Sequence, residues 1–210
     1  MPARYVAVAK VFVWLLCLAP LAWLAFRGAG VGGASLGANP VETVLLTLGK
    51  TGLNLLLITL AITPVRRLTR LNWLIRLRRL LGLFAFFYLV LHFSAYAVLD
   101  LRLAWRTVLV DVAQRPYITV GMLALLLMIP LAVTSTQGMQ RRLGRRWATL
   151  HKLVYVIATL ASIHFLWQAK SDFEPEPWVY AGMLSILLGY RLGHWWRRRL
   201  TLQASRRAVQ

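Results

Sequence analysis

Three histidines lie within apolar stretches of the 210-residue chain. His92 sits in LVLHFSAY, whereas His151 and His164 lie thirteen residues apart in WATLHKLVYVIATLASIHFLW. Ionisable residues in membrane helices are costly, and no acidic residue within these stretches could pair with the imidazoles. One of them alone could simply hydrogen-bond a neighbour, but three on two stretches favour a shared function. Neutral imidazole is a good iron ligand, and two axial histidines can hold a haem between helices.

The segments that carry these histidines are long enough to cross a membrane. Hydrophobic residues make up 59% of the chain, too many for an ordinary soluble domain of this length. A membrane-spanning helix needs about 20 predominantly apolar residues. The sequence therefore predicts an all-α fold, a polytopic six-helix transmembrane bundle in which residues 1–210 form one integral membrane domain. The predicted spans are Val11–Phe26, Val44–Thr63, Leu80–Leu99, Tyr117–Ser135, Thr149–Ala169 and Trp178–Trp196.

The placement of charge predicts the orientation. With six alternating helices and a cytoplasmic N-terminus, 19 of the 25 basic residues fall on the cytoplasmic side and all six acids fall on the outer side. Basic residues near helix ends set membrane orientation, so both termini are predicted to be cytoplasmic. The same rule explains the net charge of +19 without any nucleic-acid partner. Arg191, inside the sixth span, is expected to extend its side chain toward an interface.

Helix geometry places two of the histidines at one level. His92 lies about 18 Å into the third span and His164 about 22 Å into the fifth, at 1.5 Å per residue. Both depths fall in the outer half of a core about 30 Å thick, so the two side chains could share one haem. His151 lies about 20 Å below His164, near the inner surface, at a spacing that suits a second redox centre.

The inner level lacks an obvious second ligand. In one continuous helix, thirteen residues leave His151 and His164 pointing about 140° apart. At that level the third span offers only Arg76, Arg78 and Arg79. His194, near the inner end of the sixth span, could pair with His151, but we expect it to be a solvated interfacial residue.

Other candidate sites carry less weight. The loop GAGVGGASLG lacks the strand and helix that a dinucleotide fingerprint needs. Cys17 is the only cysteine, so no internal disulfide or cysteine-ligated cluster is possible.

The first span also has the pattern of a cleaved signal peptide. We expect it to be retained, because its removal would place the termini on opposite sides. No internal repeat is apparent.

Several motifs together resemble a known family. They are RRLLGL, LHFSAY, RPYITVG, TSTQGMQRRLG, LHKLVY, IHFLW and YAGM, and they cover nearly the whole chain. The chain resembles the MsrQ family, the haem-binding membrane subunit of the bacterial periplasmic protein-methionine-sulfoxide reductase system, which is related to transmembrane ferric reductases and NADPH oxidases. The resemblance implies a ferric reductase-like core and haem b, one or two per chain, held by His92, His151 and His164. The related oxidases carry two histidines on the third helix, whereas this chain has one.

The resemblance also implies cofactors and partners. It implies FMN, with no residue assigned to it, and electrons from the quinone pool or a cytoplasmic flavin reductase. The acceptor would be a periplasmic molybdopterin-containing subunit that reduces methionine sulfoxide in proteins. The chain would then be an electron-transfer subunit in the bacterial inner membrane rather than the catalytic subunit. The outer loops would dock the partner, and the basic segments 66–79 and 137–146 could bind a flavin phosphate or simply be solvated.

Two alternatives remain open from the residues. One is a stand-alone transmembrane ferric or metal reductase with the same haem chemistry. The other is a non-redox, proton-coupled membrane protein that uses its histidines as relays.

Overall fold

The structure, a computed structural model, describes residues 3–169 and 174–207, which are mostly α-helical. Short 3-10 helices follow α1 and precede α3, and a π-helical turn, Tyr96–Asp100, extends α3. The α-helices of the described chain are α1 Ala3–Gly28, α2 Pro40–Thr69, α3 Arg78–Ala95, α4 Trp105–Gln114, α5 Pro116–Val133, α6 Gln137–Leu143, α7 Arg145–Leu150, α8 Leu153–Gln168 and α9 Pro175–Arg207.

Five helical segments of the described residues are long and apolar enough to cross a membrane. They are Arg4–Gly28, Pro40–Thr69, Asn72–Asp100, Pro116–Val133 and Arg145–Gln168. The predicted all-α membrane fold is therefore confirmed. The sixth predicted span lies within α9, which is helical but does not meet the same test of apolar composition. The six-helix count stays a prediction.

Two helical hairpins form the centre of the bundle. In the first hairpin α2 packs against α3, in the second α5 packs against α8, and α3 contacts α5 between them. Helix α9 contacts both α8 and α2, whereas α1 lies at the periphery against α2 and α3. The Tyr88 hydroxyl of α3 donates a hydrogen bond to the Cys17 carbonyl of α1, which links this peripheral helix to the first hairpin. The largest fully buried side chains belong to Leu56, Leu60, Tyr88, Ile157 and Pro177.

Local sequence explains where the central hairpins begin. Pro40 and Pro116 occupy the first turns of α2 and α5, where a missing N–H costs no helical hydrogen bond. The Asn39 side chain accepts a hydrogen bond from the backbone N–H of Glu42 at 3.2 Å and caps α2. We call the end where α2 and α5 begin the acidic end. It carries Glu42, Asp100, Asp111, Glu174 and Glu176. The opposite end, where α3 and α7 begin, is the basic end.

Three predicted features differ in the structure. The expected outer loop between the third and fourth spans contains helix α4. Helix α2 continues to Thr69, six residues beyond the predicted end at Thr63. The predicted fifth span is divided into α7 and α8 by a turn at His151 and Lys152. The angle of about 140° between His151 and His164 assumed a continuous helix, so that calculation does not apply.

Candidate functional site

His92 and His164 meet near the acidic end of the bundle. His92 comes from α3 of the first hairpin and His164 from α8 of the second. Their ring centroids are 6.2 Å apart, and the ring planes cross at 78°. The structure therefore brings together the two histidines that helix geometry placed at one level.

Each of these rings is held by a backbone carbonyl of the other helix in its own hairpin. The Nδ1 atom of His92 lies 2.9 Å from the Leu45 carbonyl, and Nδ1 of His164 lies 2.6 Å from the Tyr117 carbonyl. A carbonyl oxygen can only accept, so Nδ1 carries the proton in both rings. In the neutral imidazole the Nε2 atom then keeps a lone pair for a metal.

Two glycines allow the carbonyls to reach the rings. A Cβ atom on Gly49 would lie 3.1 Å from Nδ1 of His92, and one on Gly121 would lie 2.7 Å from Nδ1 of His164. Each glycine lies one helical turn after the residue whose carbonyl accepts. Since a side chain here would press on the imidazole, both helices need glycine for this close approach.

A cavity adjoins the two histidines. Its volume is about 280 Å³, and the Tyr117 ring beside it stacks on His164 with centroids 6.1 Å apart. The walls are apolar toward the centre of the bundle and polar toward the acidic end. The polar lining includes Asn39, Glu42, Asp100, Arg115 and Gln168.

The pair fits the axial ligands of a haem iron. A metal–imidazole bond is about 2 Å long, and a ring nitrogen lies about 1 Å from its centroid, so two axial rings have centroids about 6 Å apart. The observed 6.2 Å agrees with this separation. The described residues hold no group of three or more His, Cys, Asp or Glu suited to a metal. Two histidines suffice for haem, because the porphyrin supplies the other iron ligands.

Ion pairs fasten the helices around the acidic end. The Tyr96 hydroxyl donates to Asp111 at 3.0 Å, and Asp111 lies 3.4 Å from Arg115. The hydrogen bond to the Tyr117 hydroxyl raises the pKa of Arg115 most, and the Asp111 carboxylate raises it further. The Arg115 guanidinium is therefore charged where it lines the cavity. Lys50, a basic residue within the predicted second span, pairs with Glu176 at the start of α9.

His151 has a different environment near the basic end. Its ring stacks on Trp147 with centroids 4.1 Å apart, and its Nε2 lies 3.1 Å from Oγ1 of Thr134. The Thr134 hydroxyl donates its only proton to the Pro130 carbonyl at 2.6 Å. Its oxygen must then accept from His151, so Nε2 of His151 carries the ring proton.

No second histidine faces His151 among the described residues. Arg78 of α3 lies close enough to interact electrostatically with it. A guanidinium has no lone pair to offer a metal and stays protonated in proteins. His194 is exposed on α9. The residues around His151 therefore do not fit a second haem with two histidine ligands.

The sequence predictions missed the residues that hold the rings. Leu45 and Tyr117 act through backbone carbonyls, which any residue possesses, so their side chains gave no signal. A signal was nevertheless present in the spacing, because Leu45, Gly49 and His92 recur 72 positions later as Tyr117, Gly121 and His164. The two hairpins therefore hold their histidines in the same way, although no internal repeat is apparent in the sequence.

Comparison with known proteins places these features in context. The family model of the ferric reductase like transmembrane component matches residues 48–162, which include His92 and His151. The protein-methionine-sulfoxide reductase heme-binding subunit MsrQ of Xanthomonas campestris pv. campestris (strain 8004) is 50% identical over 196 residues, covering 92% of this chain and 88% of the relative. The subunit of the same name from Ralstonia nicotianae is 47% identical over 199 residues, covering 93% and 89%.

Proposed function

The chain belongs to the MsrQ family of ferric reductase-like transmembrane proteins, and from this premise we propose that it is a haem b electron-transfer subunit. It passes electrons across the bacterial inner membrane to a periplasmic, molybdopterin-containing enzyme that reduces methionine sulfoxide in proteins. The catalytic subunit is that partner. The donor is the quinone pool or a cytoplasmic flavin reductase.

The arrangement of His92 and His164 carries this proposal. Two rings from different hairpins lie with their centroids 6.2 Å apart, and their Nδ1 protons, which face backbone carbonyls, leave the Nε2 lone pairs to hold an iron. Haem b bound by these two residues would supply one-electron transfer within the membrane. The chain's own contribution is to fix both rings through backbone carbonyls and to surround them with apolar walls. Arg115 at the mouth of the cavity could pair with a propionate carboxylate.

His151 is a further candidate haem ligand through the family relationship. Its Nε2 proton and the nearby Arg78 do not match the arrangement of the other pair. The proposed function therefore depends on His92 and His164, and the contribution of His151 is tested separately below.

We propose that the acidic end faces the periplasm. Glu42 and Asp100, two of the carboxylates at this end, line the cavity beside His92 and His164, where a docked partner could receive electrons over a short distance. Reporter fusions after Gly37 and Val110 should then report the periplasm, and a C-terminal fusion the cytoplasm. A third predicted periplasmic position, Asp172, lies outside the described residues. A periplasmic C-terminus would contradict this orientation.

The basic end would face the electron donor and FMN. Segments 66–79 and 137–146 place many guanidinium groups there, and charge alone favours phosphates or acidic donor proteins. This assignment follows from charge and from the family, since the described residues include no βαβ unit for a dinucleotide fold.

The absorption spectrum of the purified full-length protein tests the proposal. We expect a Soret band and at least one haem b per chain by pyridine haemochrome. A protein purified from a haem-sufficient membrane without a Soret band would contradict haem binding and favour the proton-coupled alternative. Recovery of a haem protein that reduces ferric chelates but never co-purifies with a periplasmic subunit would favour the stand-alone reductase.

A further inference from the structure

The Arg191 side chain donates hydrogen bonds to two neighbouring helices near the basic end of the bundle. Its Nη1 donates to the Tyr155 hydroxyl of α8 at 2.7 Å, and its Nη2 donates to the Leu60 carbonyl of α2 at 2.7 Å. The Leu60 carbonyl would normally accept from the residue four positions later, which is Pro64 and has no N–H. Arg191 thus satisfies a carbonyl that a proline leaves without its helical partner.

These contacts leave part of the Arg191 guanidinium unsatisfied. Its Nε–H is buried and has no hydrogen-bond partner in the described structure. A buried donor without an acceptor costs free energy. The guanidinium therefore has a hydrogen bond to offer to a further group.

Two more arginines extend this group of positive charges. Arg78 of α3 lies close enough to interact electrostatically with Arg191 and with Arg66 of α2. Neither of the ion pairs Lys50–Glu176 and Arg115–Asp111 involves these three arginines. Like charges repel one another, and partial burial weakens the screening by water. An anion among the three guanidinium groups would remove the repulsion.

We propose that Arg66, Arg78 and Arg191, with the Tyr155 hydroxyl, form an anion-binding site at the basic end of the bundle. The site takes the carboxylate or phosphate group of a redox molecule. Guanidinium groups suit both, because they donate paired hydrogen bonds to planar or tetrahedral oxyanions. The identity of the molecule rests on the proposed function, which offers a flavin phosphate or the propionate of a second haem that His151 alone would ligate at the basic end. Because Arg78 also interacts with His151, the bound molecule lies beside that histidine.

Arg78→Gln tests the site with the least structural disturbance. No hydrogen bond joins the Arg78 side chain to another described residue, so this change removes charge without breaking a hydrogen bond. Arg79→Gln is the matched control, because Arg79 is the exposed neighbour on the same turn of α3. Arg78→Lys retains the charge and should preserve much of the binding, which separates a loss of charge from a failure to fold.

Two measurements distinguish a flavin phosphate from a haem propionate as the bound anion. They are calorimetric titration with FMN and with riboflavin, and a redox titration of the bound haem. If the anion is a flavin phosphate, Arg78→Gln weakens FMN binding about tenfold or more and leaves riboflavin binding unchanged. If it is a haem propionate, Arg78→Gln lowers a haem midpoint potential or the haem content, because a lost positive charge favours the oxidised form. Arg79→Gln should behave as wild type in both measurements.

Two results would overturn the proposal. One is an Arg78→Gln protein that matches Arg79→Gln in flavin affinity, haem content and potential. The other is an equal loss of affinity for FMN and riboflavin, which would show that the phosphate is not the recognised group. A wild-type protein without haem would contradict the proposed function instead, and the flavin titration would still test the anion site.

Discussion

The two hairpins at the centre of the bundle agree at one end and differ at the other. Near the acidic end each hairpin supplies a histidine, a backbone carbonyl on Nδ1 and a glycine beneath the ring. Near the basic end the second hairpin supplies His151, whereas the first supplies Arg78. A haem site shared by both hairpins would therefore have matching histidine ligands at the acidic end only.

The difference extends to the position of the ring proton. Carbonyls hold the proton of His92 and His164 on Nδ1 and leave Nε2 for a metal. The Thr134 hydroxyl oxygen accepts a hydrogen bond from Nε2 of His151. The proton of His151 is therefore on Nε2, whereas the protons of His92 and His164 are on Nδ1. Histidine alone does not specify a ligand, because the acceptor beside the ring decides which nitrogen has a lone pair.

Removal of an acidic-end ligand should have the largest effect. His92→Ala and His164→Ala should each abolish the same low-spin haem signal, with at least about a tenfold loss of that haem, because each removes one of two axial bonds. Absorption spectra and haem quantification per chain give the measurement. If either variant kept all of its haem, the pairing of the two hairpins would be wrong.

The glycines test how closely each carbonyl must approach its ring. Gly121→Ala should reduce haem content or shift the spectrum more than Gly49→Ala, since its Cβ would lie 2.7 Å rather than 3.1 Å from the imidazole. Overpacking of this kind costs about 1–3 kcal/mol. Gly82→Ala is the control, because no heavy atom lies within 4 Å of a Cβ there. Equal behaviour of all three variants would show that the glycines do not position the rings.

Much of the acidic-end site was predictable from sequence. The rise per residue in a helix placed His92 and His164 at similar depth, because α3 is regular up to His92 and the turn at His151 and Lys152 interrupts only the first residues of the stretch that leads to His164. The carbonyl partners were not predictable, since Leu45 and Tyr117 contribute no side-chain chemistry. Gly49 and Gly121 could be recognised only through the matched spacing to the histidines, which becomes meaningful once the two hairpins are superposed.

The basic end was less predictable for physical reasons. The turn at His151 and Lys152 contains neither proline nor glycine, so no local residue marked the break between α7 and α8. The hydrogen bond from Arg191 to α2 depends on Pro64, a residue of another helix 127 positions earlier, whose missing N–H leaves the Leu60 carbonyl free. Such contacts between distant helices leave no pattern in either segment alone.

The basic-end histidine should matter less than the acidic-end pair. His151→Ala should lower haem content or electron transfer, but by a smaller fraction than His92→Ala, because the residues facing His151 do not complete a haem site. His194→Ala should leave the spectrum unchanged, since His194 is exposed on α9. Haem content and the rate of reduction by a chemical donor separate these variants. An equal loss in His194→Ala and His151→Ala would identify His194 as the missing ligand.

The smallest expected effect concerns the proton on His151. Thr134→Val keeps the shape of the side chain but removes the acceptor of the Nε2 proton, at a cost of about 1 kcal/mol. In a chain of this length that cost lowers Tm by about 2–4 °C, which thermal unfolding in detergent can measure. The haem signal of His92 and His164 should not change, because Thr134 touches neither ring. Thr159→Val is the control, since the Thr159 hydroxyl bonds only within its own helix, to the Tyr155 carbonyl at 3.0 Å. If Thr134→Val changed the haem signal of His92 and His164, the environment of His151 would affect the acidic-end site. The two ends of the bundle could then not be treated as independent sites.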